Sequence, residues 1–299
     1  MPEDTEVLIL EMGMSGLGEI SLLSNLAEPD VAIITNIGDS HLEQLKTREG
    51  IATAKLEILE GLKPNGVVVI DGDEPLLTNR IVENDLITCG FNEENDILIS
   101  NVEITGTEMS FCVGSFGEYK IKTIGKHHAK NASYVISLGA RYEIPVEDIQ
   151  AGLLEVDLTG MRFEMEQGKS EVTLINDAYN ASPTSMKAAI ETLKEIEGLE
   201  QYVVVLGDMF ELGDEEEALH RSVVSVIDES ITHVITIGEK AAWIADECKR
   251  KRKKIKVHAY ANKDEAVSML NELANEETIM LFKSSRKLQL ETLILQLKQ

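Results

Sequence analysis

The sequence predicts an α/β protein of two units: a mostly parallel sheet with a small antiparallel meander, then a Rossmann-like, doubly wound sheet. Three observations carry this. Short continuous apolar runs such as Val67–Ile70 and Val203–Leu206 alternate with stretches of helical period, as in parallel strands covered on both faces. From about Asp96 to Thr123 the pattern changes to period two with Gly turns, as in a meander. After Thr159-Gly160 the β-α alternation starts again. A chain of 299 residues has room for about two domains, and 43% hydrophobic residues suffice for two cores.

In the first unit, strands are expected at Glu6–Leu10, Val31–Thr35 and Val67–Ile70, with helices near Glu19–Ala27, Arg48–Gly61 and Glu74–Ile81. Helices at His128–Arg141 and Val146–Leu154 close it. Thr159-Gly160 reads as a hinge, and the units are set at 1–157 and 158–299. The second unit offers strands at Val172–Ile175, Val203–Leu206, Val234–Ile237, Ile255–Ala259 and Ile279–Phe282, each followed by a helix. Two of them end alike, in Leu206-Gly207-Asp208 and Ile237-Gly238-Glu239, as strand-to-helix turns do. Ligands of such sheets sit outside the carboxyl ends of the strands, so a cleft between the units is expected.

The net charge of −25 argues against nucleic acid and anionic membranes as partners. The basic run Lys249–Lys254 suits the negative end of a helix. Cys89, Cys112 and Cys248 are far apart and lack paired spacing, which fits reduced thiols in a cytoplasmic protein. No apolar stretch approaches the ~20 residues of a membrane span.

Several residues could do chemistry. Glu11 follows the apolar run Val7–Leu10 and is either a hydrogen-bonded structural acid or a magnesium ligand. The glycines Gly13, Gly16 and Gly18 lack dinucleotide spacing, but their amides could face an anion at a helix N-terminus. His41 lies in the turn after the next strand, inert or a second ligand. Lys55 falls inside the apolar stripe Ile51, Ala54, Ile58, Leu59 and Leu62, either snorkelling to water or held in a site where its charge is tuned or removed. Gly168-Lys169-Ser170 ends like a phosphate loop, but Phe163 stands where the first glycine is required, so a hairpin-type turn is expected. No other segment offers such a loop. Asp177 closes a buried strand ahead of Ala178-Tyr179-Asn180-Ala181-Ser182-Pro183, and Arg162 stands at the hinge, able to meet a phosphoryl group or pair with an acid. Asp208, Glu211 and His220 cluster after a strand, as caps and surface charge or as site residues.

At these residues the chain resembles the Mur ligases of peptidoglycan synthesis. The matching segments are Glu11–Gly16 with Gly18-Glu19-Ile20, Thr35–Gly38 with His41-Leu42-Glu43, Ala54–Ile58, Gly125-Lys126-His127 with Asn131, Thr159–Glu164, Asp177–Pro183, Leu206–Met209 with Glu211-Leu212-Gly213, and Lys283–Arg286. They run in family order along essentially the whole chain. The resemblance implies a P-loop-type central domain followed by a Rossmann-like one. It implies an ATP-dependent amide ligase that phosphorylates a carboxylate and lets an amine displace phosphate from the acyl phosphate. The implied partners are a UDP-N-acetylmuramoyl-tripeptide and D-alanyl-D-alanine. Glu11 and His41 are implied as Mg²⁺ ligands, with Lys55 as a carbamylated lysine beside them. Lys55, His41 and Arg162 would serve catalysis. Asn131 and His127 would meet the adenine, Arg162 and Asp177 the phosphates or ribose, and Asn36, Asn180, Lys283, Ser285 and Arg286 the substrates.

The chain departs from the family pattern at His128 and Ser182, where Asn is common, and at Ser284 and Lys287, where glycine is usual. It also lacks the family's N-terminal domain and Gly-x-x-Gly-Lys-[Ser/Thr] loop. The expectation is therefore a central domain truncated at its N-terminus and, as an isolated chain, inactive. The alternatives are a non-catalytic folded fragment that binds dipeptide or nucleoside weakly, and a folylpolyglutamate-synthase-like ligase.

Overall fold

The computed structural model describes residues 2–81, 85–156 and 160–298. Two six-stranded sheets form its frame. The first contains β1 (Val31–Ile34), β2 (Val67–Asp71), β3 (Asp85–Gly90), β4 (Ile97–Thr105), β5 (Glu108–Val113) and β6 (Gly117–Ile121), side by side in chain order. β1 to β4 run parallel, and β4 to β6 form the expected antiparallel meander, so β4 joins the two halves. Its helices are α1 (Glu19–Ala27), α2 (Leu42–Leu45), α3 (Arg48–Leu56), α4 (Pro75–Thr78), α5 (Lys126–Arg141) and α6 (Val146–Leu154).

β2 shows why this sheet is mostly parallel. Val67 and Val69 enter one core with Ala129, Tyr134 and Ile136 of α5, while Val68 and Ile70 enter the opposite core with Ile51, Ala52 and Ala54 of α3. A strand buried on both faces has no polar side, hence the unbroken apolar run. Each such side chain contributes about 1.5–3 kcal/mol by leaving water.

The second sheet contains β7 (Glu164–Gln167), β8 (Thr173–Asn176), β9 (Gln201–Gly207), β10 (His233–Ile237), β11 (Lys256–Tyr260) and β12 (Thr278–Lys283), in the order β11-β10-β9-β12-β8-β7. All neighbours are parallel except β7 with β8. Its helices are α7 (Pro183–Lys194), α8 (Glu216–Ser222), α9 (Ala242–Lys251), α10 (Val267–Leu273) and α11 (Glu291–Lys298). Residues of α7 and α9, with Val223 and Val224 just after α8, pack on one face; residues of α10 and α11 pack on the other. This is the expected doubly wound arrangement. The basic run starts in the last turn of α9, where it meets the negative end of the dipole.

Two expectations need correction, and two strands come in addition. Glu6–Leu10 is not a strand; it is extended but unpaired, with Val7 78% and Ile9 90% exposed. An apolar run becomes a strand only when a neighbour takes its N–H and C=O groups, and β1 forms the edge of its sheet. The Glu74–Ile81 helix shrinks to the single turn of α4. β3 and β7 were not foreseen. Thr159 and the proposed boundary at 157/158 lie outside the described residues, whereas Gly168-Lys169-Ser170 is indeed the turn that joins antiparallel β7 and β8.

Candidate functional site

The loop leaving β1 is held by three side chains on three successive carbonyl oxygens. Tyr134 Oη donates to Thr35 O at 2.8 Å, Lys55 Nζ to Asn36 O at 2.8 Å, and Arg48 Nη2 to Ile37 O at 2.9 Å. Lys55 is half-buried, and that burial pushes its pKa below the ordinary lysine value. Lys55 thus lies on the half-buried side of its helix, as its place in the apolar stripe predicts. Its partner is a neutral carbonyl, so no carboxylate offsets the desolvation.

His41 follows in a left-handed conformation, φ 65°. Its Nδ1 lies 2.8 Å from Glu211 Oε2 of the second unit, without the angle of a hydrogen bond. Three hydrogen bonds cross between the units here. Glu43 N donates to Glu211 O at 3.0 Å. The Asp39 carboxylate accepts from Thr184 N at 3.2 Å and from the Thr184 hydroxyl, so it acts as an anion at the N-terminus of α7. Ser182 is the N-cap of that helix and forms a reciprocal capping box with Ser185, which explains why a serine works there.

At the start of α5 the His127 and His128 rings stand 4.1 Å apart. His128 Nε2 is buried without a partner. Burial, then the neighbouring His127, push the His128 pKa down to about 3, while Asp177 opposes and Arg162 reinforces the shift. His127 keeps an exposed face, while desolvation by its neighbours and then Lys283 push its pKa down to about 4. Asn131, one turn on, is exposed.

Across from these histidines, Lys283 Nζ lies 2.6 Å from Asp177 Oδ2 and donates to Asn180 O at 3.1 Å. Lys283 is only 3% exposed; burial lowers its pKa and Asp177 opposes the fall. Arg162 is exposed and stacks over the Tyr179 ring at 4.3 Å. Ser285 is buried, accepting from Phe210 N at 3.3 Å, and Arg286 is exposed and paired with Glu291. The structure therefore brings His127, Asp177, Asn180, Lys283 and Arg162 together, and separately joins Lys55 to Asn36 in the loop that carries His41. A cavity of about 390 Å³ opens at the carboxyl ends of β9, β10 and β11, lined in part by Asp208, Phe210, Lys240 and Asn262.

Glu11 is exposed at the end of its unpaired segment. The glycine-rich turn does face an anion, but it is the chain's own. Glu57 accepts from Gly18 N at 2.8 and 2.9 Å and from Ser21 N at 3.2 Å. Among the described residues, no three His, Cys, Asp or Glu side chains converge as a metal set. The donor chemistry nevertheless suits Mg²⁺ in part: Glu11 and His41 offer oxygen and nitrogen, and Lys55 has the lowered pKa that a reactive amine needs. Sequence reasoning missed Asp39 and its partner Thr184, because nothing in a sequence pairs residues so far apart. It also missed the half-buried ion pairs of Lys130 with Asp71 and Asp73, at 2.7 and 2.9 Å.

Two family descriptions match the chain. The Mur ligase middle domain matches residues 1–139, and the glutamate ligase domain of Mur ligases matches residues 161–286. The chain belongs to the Mur ligase family. Among its relatives is the UDP-N-acetylmuramoyl-tripeptide–D-alanyl-D-alanine ligase of Bacillus subtilis (strain 168), 44% identical over 296 residues, which are 98% of this chain and 65% of the relative. A crystal structure of MurF from Acinetobacter baumannii superposes with a TM-score of 0.83 at 28% identity, covering 97% of this chain and 64% of that one. MurF ligase from Thermotoga maritima, in complex with ADP, gives 0.86 at 25% identity, covering 98% and 67%. This Mur ligase chain thus spans 44% to 67% of the length of the curated relatives it matches.

Proposed function

We propose that this chain carries the lysine-bearing, nucleotide-facing and amine-facing parts of an ATP-dependent ligase. The ligase would join D-alanyl-D-alanine to a UDP-N-acetylmuramoyl-tripeptide in peptidoglycan synthesis. One observation carries the reading: loops at the carboxyl ends of both sheets meet, with Asp39, His41 and Glu43 on one side and Thr184 and Glu211 on the other. The 44% identity to the Bacillus subtilis ligase supports the choice of substrates over a folylpolyglutamate-type reaction. We place the boundary between the units at 157/158 and the protein in the cytoplasm. Three free cysteines support that compartment, and no helix among the described residues is long and apolar enough to cross a membrane.

In this reading the tripeptide carboxylate attacks the γ-phosphorus of ATP, ADP leaves, and the dipeptide amine then displaces inorganic phosphate from the acyl phosphate. Asn131 and His127 meet the adenine, and Asp177 the ribose or phosphates. Arg162 leaves its perch on Tyr179 to meet developing phosphoryl charge. Lys55 first loses a proton to become a neutral amine; that amine attacks CO₂, the N–C bond forming as one C=O π bond opens, and the nitrogen gives up a second proton to leave an oxygen-bearing carbamate anion. Glu11, His41 and that carbamate would hold Mg²⁺, which supplies charge neutralisation at the phosphates when bound. Asn36, Asn180, Lys283, Ser285 and Arg286 orient the two substrates; Lys283 would do so while paired to Asp177.

Residues 1–299 contain no phosphate-gripping Gly-Lys-[Ser/Thr] loop outside the hairpin at Gly168. A polypeptide of these residues alone is therefore expected to release no phosphate from ATP, because such a loop supplies much of the electrostatic grip on the β- and γ-phosphates. The test is to fuse the preceding third of the Bacillus subtilis ligase to this chain and measure phosphate release. Release that requires both tripeptide precursor and D-alanyl-D-alanine supports the reading. A folded fusion that binds the dipeptide or nucleoside without turnover would favour a binding fragment instead.

A further inference from the structure

The loop Asp208–Gly213 between β9 and α8 ties together three parts of the molecule. Ser285 N donates to Asp208 O at 3.1 Å, and Phe210 N donates to Ser285 Oγ at 3.3 Å, which fixes the loop after β12. Asp208 Oδ1 accepts from Ala241 N at 2.6 Å, beside the start of α9. Glu211 reaches the first unit, through Glu43 N and beside His41. Glu211 does so at φ 62°, a left-handed conformation that a non-glycine residue keeps only where its surroundings impose it.

The start of the same loop is held by a buried histidine. His220 is 0% exposed. Its Nε2 accepts from Met209 N at 3.0 Å, so this nitrogen carries no proton, and Nδ1–H donates to Glu216 O at 2.7 Å. The ring is thereby fixed in one tautomer and one orientation. The edge of Trp243, the sole tryptophan of the chain, packs against it at 5.6 Å. No residue of the proposed site touches this ring; the mechanism above does not use it.

We propose that His220 is a positioning residue: by holding Met209 it sets the Asp208–Gly213 loop, and through that loop the placement of Ser285 relative to His41 and Glu43 across the two units. That this placement serves ligation rests on the function proposed above. The coupling itself does not, and it is tested without turnover.

Amide hydrogen exchange on the 299-residue chain is the experiment, with Trp243 emission as a check that the ring site is intact. In the unaltered chain the amides of Met209, Ser285 and Glu43 should open together, with a common dependence on denaturant. His220→Phe keeps a ring but removes the acceptor, and exchange at Met209, Ser285 and Glu43 should rise about tenfold, the worth of one buried hydrogen bond. Val205 and Ile235, inside the sheet, should not change. His220→Gln can place its Oε1 where Nε2 lies and should restore protection at all three. Unchanged exchange at Glu43 and Ser285 in a folded His220→Phe chain would overturn the proposal, as would His220→Gln behaving like the phenylalanine. Should His220→Phe not fold, the unaltered chain decides: independent opening of Met209 and Glu43 overturns the coupling. Ligation failing while the coupling holds would count against the proposed reaction only.

Discussion

Lys55 keeps its ammonium against the carbonyl oxygen of Asn36 with no carboxylate to reward the charge. Its neutral form is therefore favoured relative to a surface lysine, and the neutral form rises with pH. Intact mass after bicarbonate treatment should show a carbamate that grows between neutral and mildly alkaline pH and vanishes in Lys55→Arg. An adduct that persists in Lys55→Arg would place the chemistry elsewhere. In a loop-completed enzyme the same substitution should cost on the order of 10²–10³ in turnover. His128 gives a second prediction. Its folded pKa is about 3 against an ordinary 6.5, so above pH 6.5 both folded and unfolded chains hold it neutral. Below that, the unfolded chain takes up a proton that the folded chain refuses, and stability falls as pH drops toward 3. His128→Asn, with the family's residue, should flatten this part of the pH profile of the melting temperature; an unchanged slope would contradict the assignment. Lys55 was legible because a helical stripe puts a residue inside or outside by its number alone. The Glu57 carboxylate at Gly18 and Ser21 was not, because those bonds span 36 to 39 residues of sequence.

At the scale of elements, what could be read was what is buried on two faces. β2, β9, β10 and β12 are continuous apolar runs and were found near their true positions. β7 reads Glu-Met-Glu-Gln, and as an edge strand with one neighbour it needs little apolar surface, so its composition hid it. Glu6–Leu10 failed in the opposite sense: apolar composition without a partner leaves a run in the open. Helix α7 offers a test of local design. Removing the N-cap by Ser182→Ala should lower stability by about 1 kcal/mol, whereas Ser182→Asn, a good cap, should stay within a few tenths. Equal losses from the two would mean that the hydroxyl does something other than cap.

At the scale of the whole molecule, polar contacts cross between the units: Asp39 with Thr184, Glu43 and His41 with Glu211, and Lys126 with Glu195 at 3.5 Å. Interfaces built this way permit relative motion. Asp39→Ala should broaden the distance distribution in small-angle X-ray scattering while leaving each unit folded; an identical profile would assign the hold to other contacts. A second force acts between molecules. The segment Val7–Leu10, Leu22 and Leu26 of α1, and Ile33 on the edge strand expose apolar surface on one unit, while the net charge of −25 keeps copies apart. Added salt weakens the repulsion without weakening the attraction, so light scattering should show association rising with ionic strength. A monomer at every salt concentration would show that the surface is too dispersed to act as one patch.

Glu57 on the amides of Gly18 and Ser21 makes this glycine-rich turn a lock that already holds a key. A carboxylate attached to the same fold competes as though present at millimolar concentration or above, and it never diffuses away. Free phosphate or sulfate at lower concentration loses that contest. Ligand traffic is thereby steered away from the first helix and left to the loops where the two sheets meet.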